Sequence, residues 1–240
     1  YEFFDKNDKE RKSTSQDFRL TFHDLILGVF YKNLIESDEA NGYLFGGLSN
    51  SAKSQYNFGV YSGYFKYDWK INPKIKLTTN YRLEKNTIDY SGQSEGMDYY
   101  YNTIDLPNVK HSNSFFMNGY RASIIIKKTQ SLNYFGSIAK GYKSGGVNQQ
   151  PYINDKNRNY GPEELRTLEF GIKYFSDKIY TNINLFHGLR ANQQISISSQ
   201  QIEGDPNSFI FFTSNAGSGT IGGIELESKI KFNQNIAINI

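Results

Sequence analysis

The stretch IKLTTNYRLEK, residues 75–85, alternates apolar and polar side chains at almost every position. Its apolar positions are Ile75, Leu77, Thr79, Tyr81 and Leu83. Successive side chains of a β-strand point to opposite faces, so a period of two predicts a strand with one apolar and one polar face.

The same alternation recurs along the chain. It is clean in residues 114–127, 164–175 and 220–232, and less regular in 15–22, 25–36, 55–70, 131–143 and 178–198. With a short segment at 236–240, the sequence predicts ten strands. Within the alternating core of the clean strands every charge lies on the polar face: Lys76, Arg82, Glu84, Arg121, Lys127, Glu169, Lys173, Glu225, Glu227, Lys229 and Lys231. The mixed signs suggest ion pairs along a wet wall.

The connections between these strands alternate between short and long. Short ones are predicted at His23-Asp24, Asn72-Pro73, 128–130, Ser176-Asp177 and 233–235, and long ones at about 38–53, 91–113, 144–162 and 199–218. All short turns then fall at one side of an antiparallel sheet. Strands of about 12 to 17 residues also exceed the usual length of about 5 to 6. Together these features predict an all-β fold, an antiparallel transmembrane β-barrel with short periplasmic turns and long external loops.

Aromatic residues near the short turns fit this prediction. They would form a girdle at one membrane interface. The residues are Phe22, Tyr67, Trp69, Tyr134, Tyr174 and Phe232. An amphipathic sheet packed on a second soluble layer is the alternative.

Composition excludes several kinds of functional site and partner. The 240 residues include no Cys, which excludes disulfides, thiolate metal sites and cysteine nucleophiles. A net charge of +3 gives little support to a nucleic-acid partner. The chain has no apolar run of eighteen residues, the length expected of a transmembrane helix. Its start lacks Met and an apolar signal region, so we expect an interior piece of a longer protein.

Gly217, Gly219 and Gly222 have the spacing of a dinucleotide-binding turn. Such a turn needs a helix after it, whereas here an alternating strand follows. We therefore predict that these glycines and Gly223 allow a sharp return from an external loop into the wall.

Other site signals are weak. Residues 155–159 begin like a calcium loop but have Tyr160 where glycine is required. The three histidines, His23, His111 and His187, lack catalytic or metal-binding spacing. We predict no catalytic residue, metal or cofactor.

Aromatic residues in the predicted external loops suit ligand capture, because they offer flat amphipathic surface above a lumen. They are Tyr99, Tyr100, Tyr101, Tyr152, Tyr160, Phe209, Phe211 and Phe212. Packing of the loops against each other explains them equally well. Lys66, Arg121 and Lys143 offer positive charge to an anionic chelate, or pair with carboxylates of the wall.

Four stretches resemble signatures of TonB-dependent outer-membrane receptors. They are SQDFRL (15–20), VYSGYFKYDWKINPKIKLTTNYRLEK (60–85), KGYKSGGVNQQP (140–151) with YGPEELRTLEFGIK (160–173), and SNAGSGTIGGIELES (214–228). Asn80 stands where the family usually has glycine, and Gly219 where it has alanine. The resemblance assigns a structural role to its motif residues: Gly141, Tyr142, Gly145, Gly146, Asn148, Gly161, Pro162, Glu163, Asn215, Gly217, Gly223 and Glu225.

The resemblance implies a barrel of 22 strands that encloses an N-terminal plug. Residues 1–240 would be the middle of that one barrel domain, without the plug. It further implies a receptor in the outer membrane of a Gram-negative bacterium that takes up a ferric siderophore or a similar iron complex. Its partners would be this nutrient, outer-membrane lipid and, through the missing plug, the TonB complex.

Several alternatives stay open. Within the family these are uptake of heme, cobalamin or glycans. From other classes they are a standalone barrel enzyme and a soluble β-sheet adhesin.

Overall fold

The computed structural model describes residues 3–97, 102–106, 108–150, 153–200, 203–204 and 209–240. These residues form fifteen strands and one turn of 3-10 helix, Asp155–Asn157. The strands are β1 (Phe3–Phe22), β2 (Leu25–Leu44), β3 (Gly47–Asn72), β4 (Ile75–Met97), β5 (Thr103–Asp105), β6 (Val109–Lys127), β7 (Leu132–Lys143), β8 (Gly146–Val147), β9 (Asn159–Tyr160), β10 (Glu163–Phe175), β11 (Ile179–Ala191), β12 (Gln194–Gln200), β13 (Phe209–Asn215), β14 (Gly219–Lys231) and β15 (Ala237–Asn239). No helix in these ranges is long and apolar enough to cross a membrane.

Ten of the strands form one antiparallel sheet. Its order is β1-β2-β3-β4-β6-β7-β10-β11-β14-β15, and β5 pairs with β4 outside this path. Strands β1 and β15 each have one neighbour, so the sheet is open along two edges. The predicted all-β antiparallel sheet of about ten strands is confirmed.

The register confirms the predicted division into two faces. Phe170 pairs with Leu185 on one side and with Gly136 on the other, so their side-chain positions share a face. This apolar face is open: Phe18, Leu168 and Ile224 are 65%, 57% and 71% exposed. Large apolar side chains left uncovered over a whole sheet face need a non-aqueous environment or a partner.

The opposite face is polar, and its charges are paired. The Arg82 guanidinium donates to Glu84 at 2.6 Å. An Nη atom of Arg121 lies 3.7 Å from Glu169, and Lys66 Nζ lies 3.4 Å from Asp68. These pairs confirm the prediction of ion pairs on a wet wall. They also show that Lys66 and Arg121 are occupied by carboxylates of the wall itself.

A cluster of charged residues lies on the apolar face, at its outer edge. By register, Glu164 and Arg166 share the face of Leu168. Glu164 accepts Lys140 at 2.7 Å and Arg166 at 3.3 Å. The cluster marks the level at which this face changes from apolar to polar. The apolar band therefore extends from the short turns to about this height.

The predicted short turns are confirmed, and side chains stabilise them. The Asn72 side-chain oxygen accepts the backbone N–H groups of Lys74 and Ile75, both at 2.9 Å. Thr129 and Asn233 accept N–H groups in the same way in the β6–β7 and β14–β15 turns. Short polar side chains that bond the backbone two or three residues ahead favour such turns.

The predicted loop 38–53 is wrong. Strands β2 and β3 continue to Leu44 and Gly47 and are joined by Phe45 and Gly46, which have φ angles of 51° and 81°. Strand β4 likewise runs to Met97 and β6 begins at Val109, which shortens the predicted loop 91–113. Beyond the apolar band both faces of a hairpin are polar, so the backbone pairs without any alternation in the sequence. A salt bridge of 3.3 Å between Lys53 and Glu39 supports the extension.

The predicted strand 178–198 is also wrong, because it is two strands. Strand β11 ends at Ala191, Asn192 takes a left-handed φ of 53°, and β12 then pairs with β13 in a separate hairpin. Asparagine is one of the few residues that adopts this conformation readily. The predicted loop 199–218 therefore contains β13, and loop 144–162 contains β8, the 3-10 turn and β9.

The glycines of the G-x-G-x-x-G stretch do not have the predicted role of a sharp return. None of the four, all within the described residues, has a left-handed φ. Gly222 and Gly223 lie inside β14, where an added Cβ would approach His187 and the ring of Phe186 to between 3.2 and 3.3 Å. They make room for side chains of the neighbouring strand.

Candidate ligand-binding surface at the outer end of the sheet

Loop 144–162 folds back onto the polar face of the sheet. Its Val147 is 6% exposed and packs against Ile88 and Tyr90, with Tyr56 and Phe115 around them. The Tyr90 hydroxyl donates to the backbone oxygen of Gln149 at 2.9 Å. An apolar core thus forms on the wet side of the sheet. It holds the loop over the region that a closed barrel would enclose.

Arg158 organises the loop from inside. Its side chain is 1% exposed, and its guanidinium donates to the backbone oxygens of Asn148, Gln150 and Ile153 at 2.6 to 3.1 Å. Burial lowers the pKa of Arg158 from its usual range. One side chain thus binds three backbone carbonyl groups of the loop, which fixes the loop's path.

Asn148 ties this loop to the hairpin formed by β12 and β13. Its amide nitrogen donates to the backbone oxygen of Thr213 at 2.7 Å, and its oxygen accepts the Thr213 N–H at 2.8 Å. The side-chain nitrogen of Gln150 donates to the backbone oxygen of Phe211 at 2.8 Å. Two loops far apart in sequence are therefore joined by side-chain-to-backbone hydrogen bonds.

A second set of hydrogen bonds closes the base of both loops. Asn215 donates to the backbone oxygen of Gly161 at 3.0 Å and accepts the Gly161 N–H. Glu163 accepts the N–H of Gln194 at 2.7 Å and lies 3.4 Å from Arg190. We call the residues Asn148, Gly161, Glu163, Gln194 and Asn215 the loop clasp.

The loop clasp unites residues from two stretches that were singled out separately in the sequence. Asn148, Gly161 and Glu163 come from residues 140–173, and Asn215 comes from residues 214–228. Sequence reasoning did not select Arg158, Gln150 or Gln194. A buried arginine that bonds backbone carbonyl oxygens leaves no pattern in the sequence, so no signal pointed to Arg158.

The remaining motif residues lie around the clasp or in the wall. The Tyr142 hydroxyl donates to Glu84 at 3.2 Å. An added Cβ at Gly145 would meet the backbone of Tyr160, and one at Gly146 would meet the Tyr160 ring. Gly141 and Gly217 face open space, Gly223 faces Phe186, and Pro162 precedes β10. The Glu225 carboxylate lies 3.4 Å from the amide nitrogen of Asn184.

The predicted ligand-contact aromatics have different environments. Tyr99, Tyr100, Tyr101 and Tyr152 lie outside the described residues. Phe212 is 3% exposed and packs within the hairpin, and Tyr160 is half-buried against Gly146, where burial raises its pKa. Phe209 and Phe211 are 54% and 69% exposed on the other face of β13. These two rings are therefore available to a ligand.

Among the described residues, no group of three His, Asp or Glu side chains is arranged to hold a metal ion. Asp155, the first residue of the calcium-like stretch, is 88% exposed in its side chain. His111 Nε2 lies 3.9 Å from it. This region offers polar contacts at the surface of the loop.

A sheet with one apolar open face, one polar ion-paired face, tight turns at one end and folded loops at the other is the wall of a membrane-spanning β-barrel. The family of TonB dependent receptor-like beta-barrels matches residues 1–239. The chain belongs to this family. No curated protein matches the sequence.

Solved structures share the fold at low sequence identity. The ferric yersiniabactin uptake receptor FyuA from Yersinia pestis superposes with a TM-score of 0.75 at 16% identity, over 97% of this chain and 34% of its own. The copper transporter OprC gives 0.67 at 12% identity, over 96% and 36%. The ferripyoverdine receptor of Pseudomonas aeruginosa gives 0.56 at 15% identity, over 95% and 32%. The chain thus spans about a third of the length of these proteins.

Proposed function

We propose that this chain forms part of the wall and outer loops of a receptor in the outer membrane of a Gram-negative bacterium. The receptor takes up a ferric siderophore or a similar iron complex. Passage is energised by the TonB complex, which acts through a plug outside this segment. The chain contributes ligand contacts and a stable wall, and it carries no catalytic step.

The observation that carries this proposal is the combination of an open apolar face with folded loops on the polar side. Side chains that face hydrocarbon must be apolar and the backbone must be paired on both sides, and eight strands of the sheet have a neighbour on each side. The Val147 core and the loop clasp hold loops over the interior, where an external ligand would first be bound.

The exposed rings of Phe209 and Phe211 support an organic ligand with flat apolar surface. They alternate along β13 with Ile210 and Phe212, so the hairpin presents two rings on one face. The register places Ser198 opposite Phe211, which adds a polar position to that face. The wall charges Lys66 and Arg121 are paired, so we assign the first contact to this aromatic face.

Related proteins support an iron complex as the leading ligand. Of the structures described above, two are receptors whose names specify ferric siderophores, and OprC is named a copper transporter. Heme, cobalamin, glycans and copper are therefore the competing ligands in the test. A barrel enzyme or a soluble adhesin would give no ligand-dependent uptake at all.

The test uses the full-length receptor in a Gram-negative host that lacks its own siderophore receptors. Under iron limitation we expect uptake of radioactive iron from at least one ferric siderophore, and loss of that uptake when TonB is removed. Replacement of Phe209 and Phe211 by alanine is expected to weaken ligand binding about 5-fold to 150-fold, from a loss of about 1 to 3 kcal/mol. Phe45→Ala, which removes an exposed ring from a different outer hairpin, is the matched control.

Uptake of heme, cobalamin, a glycan or copper in place of iron chelates would replace the proposed ligand. If the double replacement leaves ligand binding unchanged, the ligand does not contact the β12–β13 hairpin, and the proposed receptor function is unaffected.

A further inference from the structure

Charge is distributed unevenly between the two ends of the sheet. We define the short-turn rim as residues 20–27, 68–76, 127–133, 173–180 and 227–235. It contains nine lysines and four carboxylates, although the whole chain has a net charge of only +3. The rest of the chain is therefore net negative. The nine residues are Lys70, Lys74, Lys76, Lys127, Lys128, Lys173, Lys178, Lys229 and Lys231.

Most of these lysines have no carboxylate partner. All nine are exposed. Lys70 lies 2.7 Å from Asp24 and Lys76 lies 3.2 Å from Asp68. For the other seven, no carboxylate oxygen of the described residues lies within salt-bridge distance. This differs from the polar face further up, where Arg82 and Arg121 have partners in the wall.

The rim lysines lie next to the aromatic side chains of the apolar face. Trp69 is 49% exposed and stands beside Lys70, with the Tyr67 and Trp69 rings 4.4 Å apart. Phe22 and Phe232 are 65% and 57% exposed at neighbouring turns. Tryptophan and tyrosine mark the level of lipid headgroups, so the turns beside these rings lie at the depth of the phosphates. Six of the nine lysines lie by register on the polar face of the strands, and the lysines of the turns remain to face the lipid: the six are Lys70, Lys76, Lys127, Lys173, Lys229 and Lys231.

Three lysines stand in the turns themselves. Lys74 directly precedes β4, Lys128 directly follows β6 and Lys178 directly precedes β11, in three successive short-turn hairpins of the sheet. A lysine at a turn reaches outward past the strand ends, because its long flexible stem carries the charge to the headgroup region. Repetition of one cation at each hairpin forms a row along the rim.

We propose that the turn lysines of the short-turn rim, Lys74, Lys128 and Lys178, bind the phosphate headgroups of anionic glycerophospholipids in the leaflet on that side of the membrane. The inference rests on the membrane-spanning role proposed above. A lysine close to an anionic surface gains about 1 kcal/mol, which corresponds to an about fivefold local enrichment of anionic lipid. A zwitterionic headgroup does not offer this gain, since its own ammonium opposes the lysine.

Trp69 provides a local probe of this enrichment. It is the single tryptophan of the chain, and it lies on the apolar face beside the rim. The full-length receptor is reconstituted in phosphatidylcholine vesicles with about 30 mol % phosphatidylglycerol, and bromine is carried on the acyl chains of one lipid or the other. The emission of Trp69 is obtained by subtracting the tryptophan emission of the Trp69→Phe variant from that of the unaltered receptor.

We expect brominated phosphatidylglycerol to make up about two thirds of the lipid around Trp69, because a fivefold preference raises the local ratio of phosphatidylglycerol to phosphatidylcholine from about 0.4 to about 2. About 0.5 M salt is expected to lower that local fraction. The triple variant Lys74→Gln, Lys128→Gln, Lys178→Gln is expected to bring it close to the bulk fraction. The control variant Lys53→Gln, Lys110→Gln, Lys156→Gln removes the same charge near the outer loops and is expected to retain it.

Quenching by each lipid in proportion to its bulk fraction in the unaltered receptor would overturn the inference and leave the membrane placement intact. The rim lysines would then be available to an acidic polypeptide at the mouth of the barrel. No quenching by either lipid would overturn both the inference and the proposed function, because Trp69 would not lie in a bilayer.

Discussion

The two faces of β11 allow a direct energetic test with adjacent residues. Leu185 is 48% exposed on the apolar face, and Asn184 is on the polar face. Leu185 lies six residues from the start of β11, which is about 15 Å along the membrane normal for a strand tilted by about 40°. An apolar band about 25 Å tall places it within a few ångströms of the midplane.

Arginine at Leu185 is expected to lower the free energy of unfolding in a bilayer by about 2 to 4 kcal/mol, the cost of a cation near the midplane. Arginine at Asn184 is expected to change it by less than about 1 kcal/mol, because the polar face is wet and the Glu225 carboxylate lies 3.4 Å from the Asn184 amide nitrogen. Equal charge and equal size make the two variants a matched pair.

The assay is reversible unfolding of the full-length receptor in phospholipid vesicles with increasing urea. Membrane insertion in cells provides a second readout. Equal losses in the two variants, or a larger loss for Asn184→Arg, would refute the assignment of the apolar face to lipid.

Three further outcomes follow from individual contacts. Asn148→Ala is expected to speed amide exchange about 10-fold or more in both loop 144–162 and β13, because the hydrogen bonds that join them are lost. The control Lys156→Ala is expected to leave exchange in both segments unchanged. Faster exchange in one segment alone would contradict the loop clasp. Gly171→Ala is expected to lower the free energy of unfolding by about 1 to 3 kcal/mol in the same urea assay, because its Cβ would meet a backbone carbonyl of the facing strand. Gly63 faces open space, so Gly63→Ala is expected to lower it by less than about 0.5 kcal/mol. A hydrogen bond with Lys9 holds the pKa of Glu36 below its usual range although burial opposes it. The stability that the Glu36 carboxylate contributes is therefore present above about pH 4.3 and is lost as the pH falls through the folded-state pKa. The stability advantage of the unaltered protein over Glu36→Gln should vanish at low pH, and a difference that stays constant with pH would refute this.

The membrane-spanning part of the fold could be predicted from the sequence because hydrocarbon imposes a strict rule. In residues 75–83 the outward positions lie in the apolar band, so the period of two is visible and β4 includes this whole range. The short turns were equally readable from Asn72 and Thr129, whose side chains determine the local backbone.

Outside the bilayer the same rule does not apply, and prediction failed there. Residues 38–53 form a hairpin although both of its faces are polar. The left-handed Asn192 divided a segment that looked continuous. In both places the structure depends on backbone pairing and cross-strand contacts that a single sequence does not display.

The candidate site was predictable only in part. Glycines and asparagines such as Gly146 and Asn148 could be selected, but their partners could not. Asn148 bonds Thr213, 65 positions away, and Arg158 bonds carbonyl oxygens that any residue type supplies. Likewise Phe211 and Phe212 are adjacent in sequence, yet one is exposed and the other is buried. Which face of the hairpin packs inward is decided by tertiary contacts.

The central claim is that apolar side chains face lipid and polar ones face an aqueous interior. Single spin labels placed in turn at residues 167–172 of β10 in the full-length receptor test it most directly, through the accessibility of each label to oxygen and to a water-soluble nickel complex. The account predicts alternation with a period of two, in which oxygen is favoured at Leu168, Phe170 and Ile172 and nickel at the residues between them. Accessibility without this period, or with the opposite phase, would contradict it.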